Sequence, residues 1–350
     1  MKFALTEEQR QFGAAIHELL TDADVPGAAR AWADGDNGPG LVIWRALAKA
    51  GVTALMVPES AGGLGASPVD LVVACEELGH HPVPGPLAES IAALPALLAD
   101  LASTELRWQT PGGRRGDGSP YAALLSALAS GDLIGTLAVP PVLPYALDAD
   151  VAGLVVLAER GTVSMSPSGI KLRSIDPVRR LFALRTGQEL AANAGDQVRA
   201  ALYQGTLASA ALLLGAGRGL LEASAAHAKT REQFGRPVGA FQAVKHQLAN
   251  VLIGLEFARP LVYAAAIALG NDAPTAARDL SAARVACADG ARLAARTALQ
   301  VHGAIGYTRE CDISLWLAKV RALSSTWGSQ AEHRAVVLAA LTEPGTGPWS

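Results

Sequence analysis

Cysteine is scarce: Cys75, Cys287 and Cys311 stand far apart among 350 residues and form no Cys-x-x-Cys pair. That excludes a disulfide-built scaffold and an ordinary thiolate zinc site. Charge is thin as well. Charged residues make up 17% and the formal net charge is −3, so there is no basic field for nucleic acid. Aromatics reach only 5%, whereas hydrophobic residues reach 50%, too many for a mainly disordered chain. Long apolar runs are also missing. The most apolar stretch, Leu207 to Ala226, is broken by Arg218 and Glu222 and reads as a buried helix, not a membrane span. The opening MKFALTEEQR turns polar within six residues, which predicts no signal peptide. These absences together predict a soluble, cytoplasmic, Ala-rich globular protein of two to three folded units.

Helices dominate the first third. Thr6-Glu7-Glu8-Gln9 is a capping box, and Phe12, Ile16 and Leu19/Leu20 follow at helical spacing to about Thr21. A second helix is predicted over Leu41–Ala50, ending at Gly51. A third opens at Ser67-Pro68, with proline in the first turn, and stops at Gly79. Helical stretches follow near Leu87–Leu101 and Tyr121–Ala129, with an exposed loop, Pro111–Gly118, between them. From Leu133 to about Arg185 the apolar runs become short and β-branched, punctuated by Gly and Pro, as in a small β-domain. The helical period then returns over Val198–Lys229, Ala240–Leu269 (kinked at Pro260), Thr275–Val301, Asp312–Ser325 and Gln330–Leu341. The expected domains are 1–131 (helical), 132–197 (a reduced β middle domain) and 198–345 (helical). This mainly α layout with a small β middle argues against a Rossmann fold, where strands and helices alternate.

Most chemical motifs are absent. Gly215-Ala216-Gly217-Arg218-Gly219 resembles the start of a dinucleotide fingerprint, but Leu220 replaces the third glycine and no β-branched strand precedes it. Small residues at a close helix crossing explain it better. Gly62-Gly63-Leu64-Gly65 lacks the Lys-Ser/Thr of a phosphate loop. The seven histidines contain no HExxH and no ligand cluster, so no metal is expected. The His80-His81 pair reads as surface and His246 as structural. No GxSxG marks a hydrolase serine. Two segments stand out. In Lys229–Val238, Arg231 and Arg236 flank Phe234-Gly235, which suits a bidentate phosphate contact beside an aromatic ring. A cation favoured by a helix C-terminus would look the same. In Gln300–Glu310 a helix ends in small residues that allow close approach of a ligand, or simply cap it.

Four ordered segments, VPESAGGLGAS (57–67), VDLVVACEELG (69–79), TREQFGRPVGAFQAVKHQLA (230–249) and QVHGAIGYTRE (300–310), resemble the acyl-CoA dehydrogenase family. The resemblance covers the N-terminal helices and nearly all of the C-terminal helical region. It implies an α-helical domain, a β middle domain and a C-terminal four-helix bundle, with FAD held between the β-domain of one subunit and the helices of its neighbour. By the same resemblance Arg231 would hold the FAD pyrophosphate and Phe234 would pack on the cofactor. Gln242, Gln300 and Gly303 would bind the ADP half, and Gln233 belongs to the same cofactor-binding set.

The sequence departs from that family in three places. The usual catalytic glutamate run is here Thr326-Trp327-Gly328-Ser329, with Trp327 where the acid belongs. Members that carry the acid on the first C-terminal helix would have it near Gly205-Thr206, and neither residue can accept the α-proton of a thioester. The middle-domain Thr-Glu-Pro flavin motif is absent from Thr136–Val151. The implied function is therefore a non-catalytic subunit of an FAD-dependent acyl-CoA dehydrogenase. It would lend flavin contacts to a longer paralogue in a two-plus-two tetramer that oxidises an acyl-CoA, fatty or steroid-derived, to the enoyl-CoA. Two alternatives are an active homo-oligomer using Glu310 or Glu332 as base, and a flavin-free scaffold that binds CoA esters.

Overall fold

A computed structural model describes residues 5–108 and 120–342, so the expected Pro111–Gly118 loop lies outside the described residues. The N-terminal helices are α1 (Glu7–Asp22), α2 (Val25–Ala33), α3 (Gly38–Lys49), α4 (Pro68–His80), α5 (Leu94–Trp108) and α6 (Pro120–Ala129). The capping box at Thr6 and Gln9 forms in both directions, as does one at Ser67 and Asp70. Sequence reading placed no helix at α2. Its signals are local, Asp24 accepting from the Gly27 amide and Pro26 in the first turn. The single helix expected over Leu87–Leu101 is instead a π-helical turn, Glu89–Ala93, running into α5.

The middle region holds seven short strands: β1 (Gly135–Ala138), β2 (Ala146–Leu147), β3 (Leu154–Glu159), β4 (Thr162–Met165), β5 (Ile170–Leu172), β6 (Leu181–Ala183) and β7 (Gln188–Ala191). They form two sheets, β1-β3-β4-β7 and β2-β6-β5. Only β1 and β3 pair in parallel, with Leu137 opposite Val156. The region is anchored to the N-terminal helices by a buried polar knot. Arg180 and the Trp32 indole both donate to Asp148 at 3.1 Å, Arg180 reaches Asn37 at 2.8 Å, and its guanidinium lies 4.9 Å from the Trp32 ring centroid.

The C-terminal region contains α7 (Gly195–Thr230), α8 (Gln242–Gly270), α9 (Ala276–His302), α10 (Ile313–Leu323) and α11 (Gln330–Thr342), with a small hairpin, β8 (Glu232–Gln233) and β9 (Arg236–Pro237), between α7 and α8. Helix α8 runs unbroken through Pro260. Helices α7, α8 and α9 pack on one another, α10 packs on α7 and α9, and α11 packs on α9. Two described helices, α7 and α8, are long and apolar enough to cross a membrane. The apolar window of α7 is 78% buried inside the protein, as befits a core helix.

Helix α7 also crosses α4 so closely that the glycine run is explained by packing. A Cβ on Gly215 would lie 1.8 Å from the Glu76 carbonyl oxygen, and one on Gly219 would lie 2.5 Å from that of His80. Glu76 is buried there and binds Arg218 at 2.8 Å and Arg259 at 2.5 Å, joining α4 to α7 and α8. The same crossing corrects the reading of His80-His81 as surface. His80 is buried in the last turn of α4, and His81 is half-buried beside it.

Candidate active site and the exposed end of the bundle

The two positions where the acid was sought meet in space. Trp327 is 1% exposed, with φ +58°, and its ring lies against Gly205 of α7. A Cβ on Gly205 would sit 2.1 Å from the Trp327 ring. The loop carrying Trp327 is braced from both sides. Arg284, fully buried, donates to the carbonyls of Leu323 (2.5 Å) and Thr326 (2.9 Å), and burial lowers its pKa to about 10, leaving it charged. His333 bonds the Trp327 carbonyl at 2.8 Å and the Ser281 hydroxyl at 3.2 Å.

The cavity beside Trp327 is about 30 Å³, lined by Pro84, Glu89, Asp176, Leu212 and Lys319 among others. That is room for a water or two, not for an acyl thioester. Its ionisable groups are not among those that sequence reading singled out. Burial raises Glu89 to about 7 against the pull of Arg179, and lowers Lys319 to about 8. Lys319 donates to the Val83 carbonyl at 2.6 Å. No local spacing relates residues 89, 176 and 319, so the sequence held no signal for this group. The alternative bases lie elsewhere. Glu310 is exposed in a turn, and Glu332 takes the Ser329 amide at 2.6 Å, capping α11. Their hydrogen bonds hold both carboxyls below the usual range, as surface carboxylates.

The expected cofactor residues gather at the other end of α7. Because α7, α8 and α9 alternate in direction, the end of α7, the start of α8 and the end of α9 fall together. The stacked rings of His227 and His302, with centroids 4.1 Å apart, tie the two motif segments. Burial, His302 and Arg231 all hold the His227 pKa below its usual value. Arg231 is the residue on which α7 ends, and its carbonyl accepts from Val238. Phe234 (φ +54°) and Gly235 (φ +75°) form the two-residue turn of the β8–β9 hairpin. Phe234 is 90% exposed, standing edge-on to Phe241, over which Arg236 stacks at 4.1 Å. Arg231, Gln233, Gln242, Gln300 and Gly303 are all exposed. Gln242 bonds the exposed His246 at 3.0 Å, and nothing lies within 4 Å of a Cβ built on Gly235 or Gly303. This open, polar end, with a guanidinium, three amides and an aromatic face, has donors and space suited to a nucleotide diphosphate such as that of FAD. The structure does not unite the two groups into one pocket: Gly205 and Arg231 are 26 residues apart on α7, roughly 39 Å of helical rise.

Comparison with known proteins agrees with this architecture. Residues 6–108 match the acyl-CoA dehydrogenase N-terminal domain and residues 193–342 the C-terminal domain. The chain is 32% identical over 318 residues to acyl-CoA dehydrogenase IpdE2 of Mycobacterium tuberculosis, covering 89% of this chain and 91% of the relative. In three dimensions it is similar to a chain of the ChsE4-ChsE5 complex from Mycobacterium tuberculosis (TM-score 0.79, 22% identity, 99% and 100% of the two chains covered). It is also similar to butyryl-CoA dehydrogenase from Megasphaera elsdenii (TM-score 0.77, 19% identity, 97% and 100% covered). With its helical ends, its small sheets between them and a relative aligned over almost its whole length, this chain belongs to the acyl-CoA dehydrogenase family.

Proposed function

We propose that this chain is the non-catalytic subunit of a hetero-oligomeric, FAD-dependent acyl-CoA dehydrogenase. The observation that carries this is the packing of Trp327 on Gly205, beside a cavity of about 30 Å³. Oxidation at Cα–Cβ needs a base at the α-proton and room for the thioester. This chain has neither at that place, so both come from a longer paralogue that bears the glutamate. FAD, when bound, would supply the hydride acceptor for that oxidation. The present chain's part is to hold the far half of that cofactor. Arg231 would hold the pyrophosphate, Gln242, Gln300 and Gln233 would offer amide donors to the ADP half, Gly303 would let the backbone come close, and Phe234 would pack on the cofactor.

A partner surface supports the reading. On α8, Leu252, Ile253, Phe257 and Leu261 are exposed, with Leu293 of α9 beside them, an apolar stripe at helical spacing. The ChsE4-ChsE5 assembly, a complex of two differently named chains, is the precedent for a mixed oligomer. The assembly we propose is a two-plus-two tetramer acting on a steroid-derived or fatty acyl-CoA. Glu310 and Glu332 are surface carboxylates that do not line the Trp327 cavity, which weighs against an active homo-oligomer.

The test is to purify the chain alone and together with its longer paralogue, then measure flavin absorbance and acyl-CoA oxidation. The lone chain is expected to carry little FAD and no activity, and the pair to carry both. Stoichiometric flavin with turnover in the lone chain refutes the proposal. A colourless, inactive pair would favour the flavin-free scaffold.

A further inference from the structure

We propose that His17, His80 and His81 form a three-imidazole site for a divalent transition-metal ion of the zinc type. His17 comes from α1, and the pair comes from the end of α4. One ring nitrogen of each lies within 4.8 Å of the others, and the ring centroids are 5.0–5.1 Å apart. A tetrahedral zinc with bonds of about 2.0–2.1 Å needs ligand nitrogens about 3.3 Å apart. Rotation of His17, whose side chain is 43% exposed, can close its distances to the other two rings, while His80 and His81 must close theirs by turning their own rings.

Two further observations favour a ligand over a chance cluster. The Nδ1 of His80 and the Nε2 of His81 are buried without a hydrogen-bond partner, and His80 is itself more than nine-tenths buried. An ion held between the rings would give both of these atoms a partner. On two of the three rings the opposite nitrogen faces a carboxylate. His17 Nδ1 lies 2.8 Å from Glu77 and His80 Nε2 lies 3.3 Å from Glu222. A proton held toward each carboxylate leaves the lone pair on the free nitrogen, the arrangement found behind metal-bound histidines. Arg218, the nearby cation, is paired at 2.8 Å with Glu76 and 3.1 Å with Glu77. Imidazole suits zinc, copper and nickel, and the exposed flank of His17 leaves the fourth position to water. Such an ion would clamp α1 to α4 where α4 crosses α7.

The probe is Co²⁺, followed by Zn²⁺ competition, on tag-free, chelator-stripped full chain. One equivalent of Co²⁺ is expected to bind with the visible band of a four-coordinate site, and Zn²⁺ to displace it. His17→Ala and His81→Ala should each weaken binding at least tenfold. Glu77→Gln, which removes the carboxylate behind His17 and one of the two partners of Arg218, should weaken it by roughly tenfold. His246→Ala, an exposed histidine outside the cluster, should leave it unchanged. His17→Ala removes a half-exposed ring, so it reports on binding even if a change at buried His80 were to prevent folding. No binding, a six-coordinate spectrum, or binding that survives both His17→Ala and His81→Ala overturns the proposal.

Discussion

If Trp327 fills the volume that a side chain at residue 205 would need, the two positions must be thermodynamically coupled with a definite sign. Trp327 is 1% exposed, so Trp327→Ala removes a fully buried indole and should cost about 3–5 kcal/mol. Gly205→Ala alone has two opposed effects. Alanine inside α7 gains about 1 kcal/mol over glycine. Its methyl, however, would be driven to 2.1 Å from the Trp327 ring, and overpacking of this kind costs about 1–3 kcal/mol or more. The ring cannot easily retreat, because its backbone is bonded to His333 and the preceding carbonyl to Arg284. Gly205→Ala should therefore destabilise the natural protein. In the Trp327→Ala background the clash is gone, so the same change should stabilise, by about 1 kcal/mol from helix preference plus some filling of the new cavity. Urea unfolding of the four proteins closes the cycle, with an expected interaction of about 2 kcal/mol or more. Additivity within about 0.5 kcal/mol would show that the two residues do not compete for one space, and would remove the main support for a filled site.

Glu89 should make stability pH-dependent. Its folded pKa of about 7 stands above the ordinary 4.5, so the folded state binds the proton more tightly. Stability is then full below about pH 4.5 and falls as pH rises through 7, by roughly 3 kcal/mol in all. Asp148, raised to about 6, adds a slope of the same sign. Unfolding midpoints from pH 5 to 8 should flatten in Glu89→Gln, and an unchanged slope would show that Glu89 is not the titrating group. Arg231→Ala, measured by FAD titration of the two-chain complex, should weaken flavin affinity by about one to two orders of magnitude, with Arg231→Lys recovering only part. Its unfolding midpoint should barely move, since the side chain is exposed past a helix end. Unchanged flavin affinity would reduce Arg231 to a helix-end charge.

Short-range chemistry was legible in the sequence. The capping box at Thr6 and Gln9, the proline-led start of α4 and the small-residue reading of Gly215–Gly219 stand in the structure because each depends on neighbours within one or two turns. The missed α2 shows the limit of periodicity. Nine residues give barely two repeats, and only Asp24 and Pro26 announced it. Long-range groupings were not legible. The cavity carboxyl Glu89 owes its raised pKa to burial in a cavity lined by residues of α7, α10 and the segment before β6. His17 and His80 are 63 residues apart and meet only because α1 lies along α4.

The two ends of α7 differ in one respect that bears on function. At Gly205 the missing Cβ is a packing requirement, because its space is taken by an indole. At Gly235 and Gly303 the missing Cβ has nothing near it, and both residues take positive φ, where glycine carries no steric penalty. A site that had simply lost an acid would leave an empty cavity costing stability in proportion to its volume. Here the volume beside Gly205 is occupied by an indole, and the loop that carries it is tied down by a buried guanidinium and an imidazole. Open glycines, exposed amides and a guanidinium at the far end are the reverse. They are groups with hydrogen bonds still to give, and their energetic return comes only when something docks there. The chemistry this chain can contribute is therefore expected at the bundle end that bears Arg231, while the Trp327 end works as core.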